Sequence, residues 1–237
     1  MKKTTSMLLC GIFSLAGMTT FAQDAKEIVK KHNEAIGGKA NWAKITSMKK
    51  EGKANMSGSE IDMHIYVLKG KGMRQEFIIG GVNNYFILTP TEGWAFMPIQ
   101  GQTKPEPMPK EQMKDAADHL DFQDKLMEAD DKKYKVELAG KEDIDGKPAF
   151  KLNVTDAQND AHTYYIDAAS WYLVRSVEKV DMMGQPMEQI TNYSNHTKLP
   201  EGIVIPMKEE AGASGSLTLN KVELNTIKDD SLFKLKP

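Results

Sequence analysis

Hydrophobic and polar positions alternate along this chain with two different periods, and the change of period divides it. Ala25, Ile28, Val29, His32 and Ile36 recur at spacings of three and four, one stripe of a helix, and Gly37-Gly38 supplies the natural stop. After that the period is two. Ile61, Met63, Ile65 and Val67 alternate with Asp62, His64, Tyr66 and Leu68, and Met73, Phe77 and Ile79 continue the pattern beyond Gly70-Lys71-Gly72. These are consecutive strands of a meander. Turn chemistry at Val82-Asn83-Asn84 and at Pro90-Thr91-Glu92-Gly93 separates two further strands, Tyr85 to Thr89 and Trp94 to Pro98.

The strand rhythm stops between Gln100 and Pro109, a stretch rich in Gly, Gln and Pro. Met113, Ala116, Ala117 and Leu120 then fall at helical spacing, and Phe122, Leu126, Met127 and Ala129 continue a less regular apolar face up to Asp130-Asp131. One or two helices therefore interrupt a β protein. Alternation resumes at Lys135 to Ala139 and, after the hairpin signal Asp145-Gly146, at Phe150 to Thr155. Thr163 to Asp167, Trp171 to Val180, Met187 to Tyr193, Gly202 to Lys208 and Ser216 to Leu224 follow. The count is about ten strands, and no linker rich in Pro, Gly or Ser marks a domain boundary.

The expected fold is mainly β (α+β): a single curved antiparallel half-barrel, incompletely closed, with an N-terminal helix and a central helical insertion. An unclosed sheet needs cover for its mouth or inner face, and the helices are available for it.

The first residues change the picture of where this domain works. Met1-Lys2-Lys3 is a positive start, Met7 to Ala16 is an apolar run too short to span a bilayer, and Thr20-Phe21-Ala22 places small residues where a signal peptidase reads them. Residues 1–22 are expected to be a cleavable signal cut between Ala22 and Gln23, leaving 23–237 as one domain in the periplasm. Leu8-Leu9-Cys10-Gly11 is a poor acylation signal, because Leu9 is bulky and the apolar run continues past Cys10. Cleavage removes Cys10, the only cysteine, so neither a disulfide nor a thiolate is available to the mature chain.

Losing Lys2 and Lys3 makes the formal net charge, −2 for the whole chain, more negative. There is no basic excess to suggest nucleic acid as a partner, and no later stretch is long and apolar enough to be a spanning helix. Phosphate loops, paired-histidine metalloprotease motifs, nucleophile elbows and EF-hand loops are all missing. His32, His64, His119, His162 and His196 are scattered, none at i, i+4 of another, so no metal site and no cofactor is expected. Asp160, His162 and Ser170 read as a solvated loop, and Asp143 and Asp145 as a tight turn. Fifteen methionines are unusual; those outside the signal are adaptable lining for a ligand of variable shape, or core filler.

Gly72-Met73-Arg74-Gln75-Glu76-Phe77, followed by Thr91-Glu92-Gly93-Trp94-Ala95-Phe96-Met97-Pro98, resembles the LolA family of periplasmic lipoprotein carriers. The close, Ile227 to Pro237 with Leu232-Phe233-Lys234-Leu235-Lys236-Pro237, is similar to that family's C-terminal signature, and Gly146 to Leu152, Tyr164 to Asp167 and Leu173-Val174-Arg175 resemble later hairpins of its Bacteroidetes versions. The resemblance implies a curved sheet whose apolar concave face, lidded by helices, shelters acyl chains. It also implies that Arg74 latches the lid, although the Arg-Pro pair that often precedes that position is missing here.

The expected wall is Met63, Ile65, Val67, Phe77, Ile79, Trp94 and Phe96, and the expected lid is Met113, Ala117 and Leu120 in the insertion Gln100 to Asp131. Acyl chains need apolar area and no directional groups, at about 0.8 kcal/mol for each buried CH₂. The expected role is a non-enzymatic carrier of lipoprotein acyl chains or lipid, with inner- and outer-membrane sorting components as further partners. The rivals are an envelope-stress sensor of the same architecture and, last, an uncatalogued hydrolase.

Overall fold

The protein is described by a computed structural model, which describes residues 16–56, 58–113, 120–123, 125–129, 131–182, 185–212 and 215–235. Helix α1 (Ala16–Ala35) is followed by the single turn α2 (Lys39–Trp42). Long strands then follow in the order β1 (Ser47–Met56), β2 (Ser59–Leu68), β3 (Gly72–Ile79), β4 (Val82–Leu88), β5 (Gly93–Phe96), β7 (Lys135–Ile144), β8 (Lys147–Thr155), β9 (Ala161–Asp167), β10 (Leu173–Met182) and β11 (Gln185–Ser194). The short β6 (Glu106–Pro107) and the turn α3 (Lys125–Glu128) lie in the insertion between β5 and β7, and β12 (Thr197–Lys198), β13 (Val204–Ile205), β14 (Lys208–Glu210) and β15 (Ser216–Leu224) close the chain.

Thirteen strands form one antiparallel sheet in the order β6-β5-β4-β3-β2-β1-β15-β14-β11-β10-β9-β8-β7, while β12 and β13 pair separately. The two outer strands do not pair with each other, so the sheet is an open half-barrel, as the meander predicts. Among the described residues no helix is long and apolar enough to cross a membrane. The proposed scissile bond Ala22–Gln23 falls within α1, and residues 1–15 lie outside the described residues.

Helix α1 stops where expected. The Gly38 N–H donates back to Asn33 O at 2.7 Å, and Gly37 takes φ +109° with its Cα so close to the Gly202 carbonyl that any Cβ would collide with it. Ala25, Ile28 and Val29 lay the helix across Leu152, Val154, Tyr164 and Ile166 of β8 and β9. Just past its end, Ile36 turns elsewhere and packs with Trp42, Met48, Ile203 and Leu224 in a second core.

Three departures from the sequence reading have local causes. Strand β1 is absent from the expected set because its inner positions are Met48, Lys50, Gly52 and Ala54, which show no apolar alternation. Gly52 is required there, since a Cβ would strike the Thr218 carbonyl at the bulge between β1 and β15. The expected strand Gly202 to Lys208 is broken into β13 and β14 by Pro206, which has no N–H to give. Trp171 is not in β10 but ends a turn at φ +64°, held by the Asp167 carboxylate, which accepts from the N–H groups of Ala169 and Ser170 and from the Ser170 hydroxyl.

Candidate functional site

Residues directly opposite in an antiparallel ladder project to the same side, so the register sorts β1 to β5 into two faces. Met63 lies opposite Gly52 and Phe77, Ile65 opposite Lys50 and Gln75, and Val67 opposite Met48 and Met73. The same face takes Ile61 beside Ala54, Ile79 one residue beyond Ile78 on β3, Leu88 opposite Met73, and Leu217 opposite Ala54. This is the covered face: Trp42 and Ile36 pack on Met48, and Leu120, Met108 and Met113 pack on Val67, Met73 and Leu88.

Five of the expected wall residues, Met63, Ile65, Val67, Phe77 and Ile79, therefore share the inner face. Trp94 and Phe96 do not, which corrects that part of the expectation. Trp94 pairs with Ile87, itself opposite Arg74, and Phe96 pairs with Tyr85, itself opposite Glu76; both belong to the outer face. The inner positions of β5 are Gly93 and Ala95, and they are small for a reason. A Cβ at Gly93 would collide with the Met113 sulfur, so room for the insertion is made by keeping bulk off that side.

Arg74 is corrected as well. Its Nε donates to Glu76 Oε1 at 2.7 Å and its guanidinium lies 4.0 Å over the Tyr85 ring. It points away from the face on which Leu120 and Met113 pack, so it does not latch them. What ties the insertion down is the turn after β2. The Gly70 N–H donates to Leu120 O at 2.9 Å, Lys69 Nζ lies 3.0 Å from the Asp121 carboxylate, and the same ammonium sits 5.6 Å from the Phe122 ring. Leu120 is buried and Met113 half-buried; Ala117, and Ala116 and His119 beside it, lie outside the described residues.

Four residues further along, the insertion is also fastened to the β8–β9 turn. Lys125 Nζ lies 3.1 Å from Asp156 Oδ2, which also meets His162 Nε2 at 3.2 Å, while Asp156 Oδ1 accepts from the N–H groups of Gln158 and Asp160. Burial alone would raise the Asp156 carboxyl, but the Asp160 N–H, Lys125 and His162 outweigh it and hold it at about 2. Glu178 and Asp156 together push the His162 ring up from its usual value. At 3.7 Å the Glu178 contact is electrostatic, too long for a hydrogen bond. Ser170 is not part of this group; its hydroxyl serves the Asp167 turn. Asp143 accepts the Gly146 N–H at 2.7 Å, the tight turn read from sequence.

Beside these fastenings, under the end of α1 and α2, the inner face forms a half-open cavity of roughly 520 Å³, within the size range of ligand sites. Ile36, Trp42, Met48, Phe122, Leu173 and Ile205 supply its apolar wall, and Trp42 is fixed by its indole N–H to Ile36 O at 2.9 Å. Most polar groups in the wall are already engaged. His32 Nδ1 meets Trp171 O at 2.8 Å, His196 Nε2 meets Leu173 O at 3.0 Å, and the Tyr193 and Ser176 hydroxyls lie 3.1 Å apart. Burial pushes the His196 ring down from its usual pKa, which keeps it neutral. Lys50 and Glu209 also line the cavity.

Away from the cavity the inner face continues as an open apolar strip in which Phe77, Ile79 and Leu217, all half-buried, pack on Ala54, Ile61 and Met63. Ile65 packs both on this strip and on the cluster under the insertion. The apolar wall thus runs from the half-open cavity to an exposed groove. Among the described residues, no group of three or more acidic, histidine or cysteine side chains is arranged to hold a metal ion.

No family model matches the sequence and no curated protein matches it. Solved structures do share its fold. A domain named for outer-membrane lipoprotein sorting from Vibrio parahaemolyticus superposes with a TM-score of 0.56 at 15% identity, over 90% of this chain and 97% of that one. A DUF1329 family protein from Desulfovibrio piger gives 0.55 at 12%, over 90% and 97%, and a LolA superfamily protein from Nitrosomonas europaea gives 0.54 at 12%, over 89% and 97%. This chain shares the fold of these three structures.

Proposed function

We propose that this protein is a carrier of acyl chains in the periplasm, taking up lipid or the lipid end of a lipoprotein on its inner face and working without a cofactor or a chemical step. One observation carries the reading: the apolar inner wall runs from the cavity through Phe122 and Ile65 to the open strip at Phe77 and Ile79. A chain lying along it gains about 0.8 kcal/mol for each CH₂ withdrawn from water. The fold shared with a lipoprotein-sorting domain supports the same reading. Export, with cleavage between Ala22 and Gln23, places the protein where such cargo crosses between membranes.

The insertion is the mobile part in this account. It packs over the face through Met113 and Leu120 and, among the described residues, is fastened by Lys69 to Asp121 and by Lys125 to Asp156. Native mass spectrometry of the protein taken from its own periplasm tests the proposal. Lipid or an acylated polypeptide bound to the mature chain is the expected result, whereas a protein that is lipid-free and refuses acyl probes is not a carrier.

A further inference from the structure

The two faces of the sheet treat charge differently. On the outer face of β1, Lys49 meets Glu51 at 2.6 Å and Lys53 meets Asp62 at 2.7 Å. Lys50 lies between them in sequence but on the inner face, opposite Ile65 and Val222, where it lines the cavity half-buried with no hydrogen bond or ion pair among the described residues. β14 repeats the arrangement. Lys208 and Glu210 pair at 2.7 Å on one side, while Glu209, opposite Leu217 and Tyr193, faces the cavity unpartnered.

The remaining charged or ionisable groups of the wall are occupied. Asp121 holds Lys69 and accepts the N–H groups of Phe122 and Gln123; His32, His196 and Tyr193 have the partners already given. Lys50 and Glu209 form no ion pair with each other. One cation and one anion thus stand half-buried on a shared apolar wall with no partner among the described residues. A ligand bearing both signs complements the pair through charge-assisted contacts, which are stronger than neutral ones.

We propose that the cavity receives the head of a zwitterionic phospholipid, its phosphate at Lys50 and its ammonium at Glu209. The chains then pass Ile65, which lies directly opposite Lys50, onto the strip of Met63, Phe77 and Ile79. This rests on the acyl-carrier reading and deepens it, because apolar area alone does not select among lipids with the same chains.

The test offers the full mature chain vesicles of phosphatidylethanolamine, vesicles of phosphatidylglycerol and dispersed diacylglycerol with matched chains, and counts the lipid bound after separation. Wild type is expected to prefer phosphatidylethanolamine over phosphatidylglycerol by about tenfold, the scale of one charge-assisted contact. Lys50→Met should lower the uptake of both phospholipids, and Glu209→Gln should erase the preference between them. Lys50→Arg and Glu209→Asp, which keep the charges, should retain the preference and control for folding. Equal uptake of the two phospholipids by wild type, or variants as selective as wild type, overturns the head-group assignment alone. Refusal of all three lipids, diacylglycerol included, overturns the carrier reading beneath it.

Discussion

Gly93→Ala is the sharpest way to ask whether the insertion opens. The backbone at Gly93 lies outside the left-handed region, so alanine adds only a methyl group, but that methyl points at the Met113 sulfur and crowds the Met108 sulfur at 3.0 Å and Leu88 Cδ2 at 3.1 Å. Forcing a methyl into packed space costs about 1–3 kcal/mol, and because the two sulfurs belong to flexible thioethers the low end, about 1 kcal/mol, applies to them. If the insertion is a lid, the crowding at Leu88 is common to both states while that at the sulfurs falls on the closed state and raises the open fraction about fivefold. The readout is hydrogen exchange at the Gly70 amide, which donates to Leu120 O at 2.9 Å and is freed when the lid lifts. Exchange there should quicken about fivefold while amides of β8 and β9 are unchanged, and an acyl probe should bind more tightly or equally well, since a closed empty state reduces apparent affinity. Unchanged Gly70 exchange together with a lower Tm and weaker probe binding would show a fixed wall and refute the lid.

The remaining predictions are simpler. Phe77→Asp, on the inner strip, should abolish acyl binding while Phe96→Asp, on the outer face, should leave it intact; a titration with one fluorescent fatty acid separates them. Asp156, depressed from 3.8 to about 2 in the folded protein, contributes stability that is present above 3.8 and is lost as pH falls toward 2. His162, raised above 6.5, contributes stability that is complete below 6.5 and fades as pH rises through its folded value. Asp156→Asn should therefore lower Tm near neutrality and flatten its acid limb, and a Tm series over pH that superposes on wild type would exclude this role. The intact mass of exported protein should correspond to a chain beginning at Gln23 with no diacylglycerol; an acylated Cys10 would place the protein on a membrane surface instead.

How far the sequence carried this account depends on what each residue is for. The period-two runs of β2 and β3 put Met63, Ile65, Val67, Phe77 and Ile79 on one face correctly, because those side chains are there to be buried. In β5 the same alternation misleads. It separates two faces without saying which is inner, and the large side chains Trp94 and Phe96 are outside because Met108 and Met113 need the space above Gly93. β1 was invisible for a related reason: Lys50 and Gly52 stand where apolar residues would have announced a strand, one for its charge and the other for the bulge against Thr218. The resemblance suggested Arg74 as the latch, but the contact of Lys69 with Asp121 joins residues far apart in sequence through a turn, and no spacing reveals it.

The central claim, that acyl chains lie on the inner face, is most directly tested by quenching with brominated acyl chains in proteins that keep one tryptophan. Trp42 lines the cavity and Trp94 stands on the opposite side of the same sheet. Trp94→Phe with Trp171→Phe leaves Trp42 as the reporter, and Trp42→Phe with Trp171→Phe leaves Trp94. The account predicts that a brominated fatty acid quenches Trp42 saturably and leaves Trp94 bright. Saturable quenching of Trp94 with Trp42 untouched would put the ligand on the outer face and contradict it.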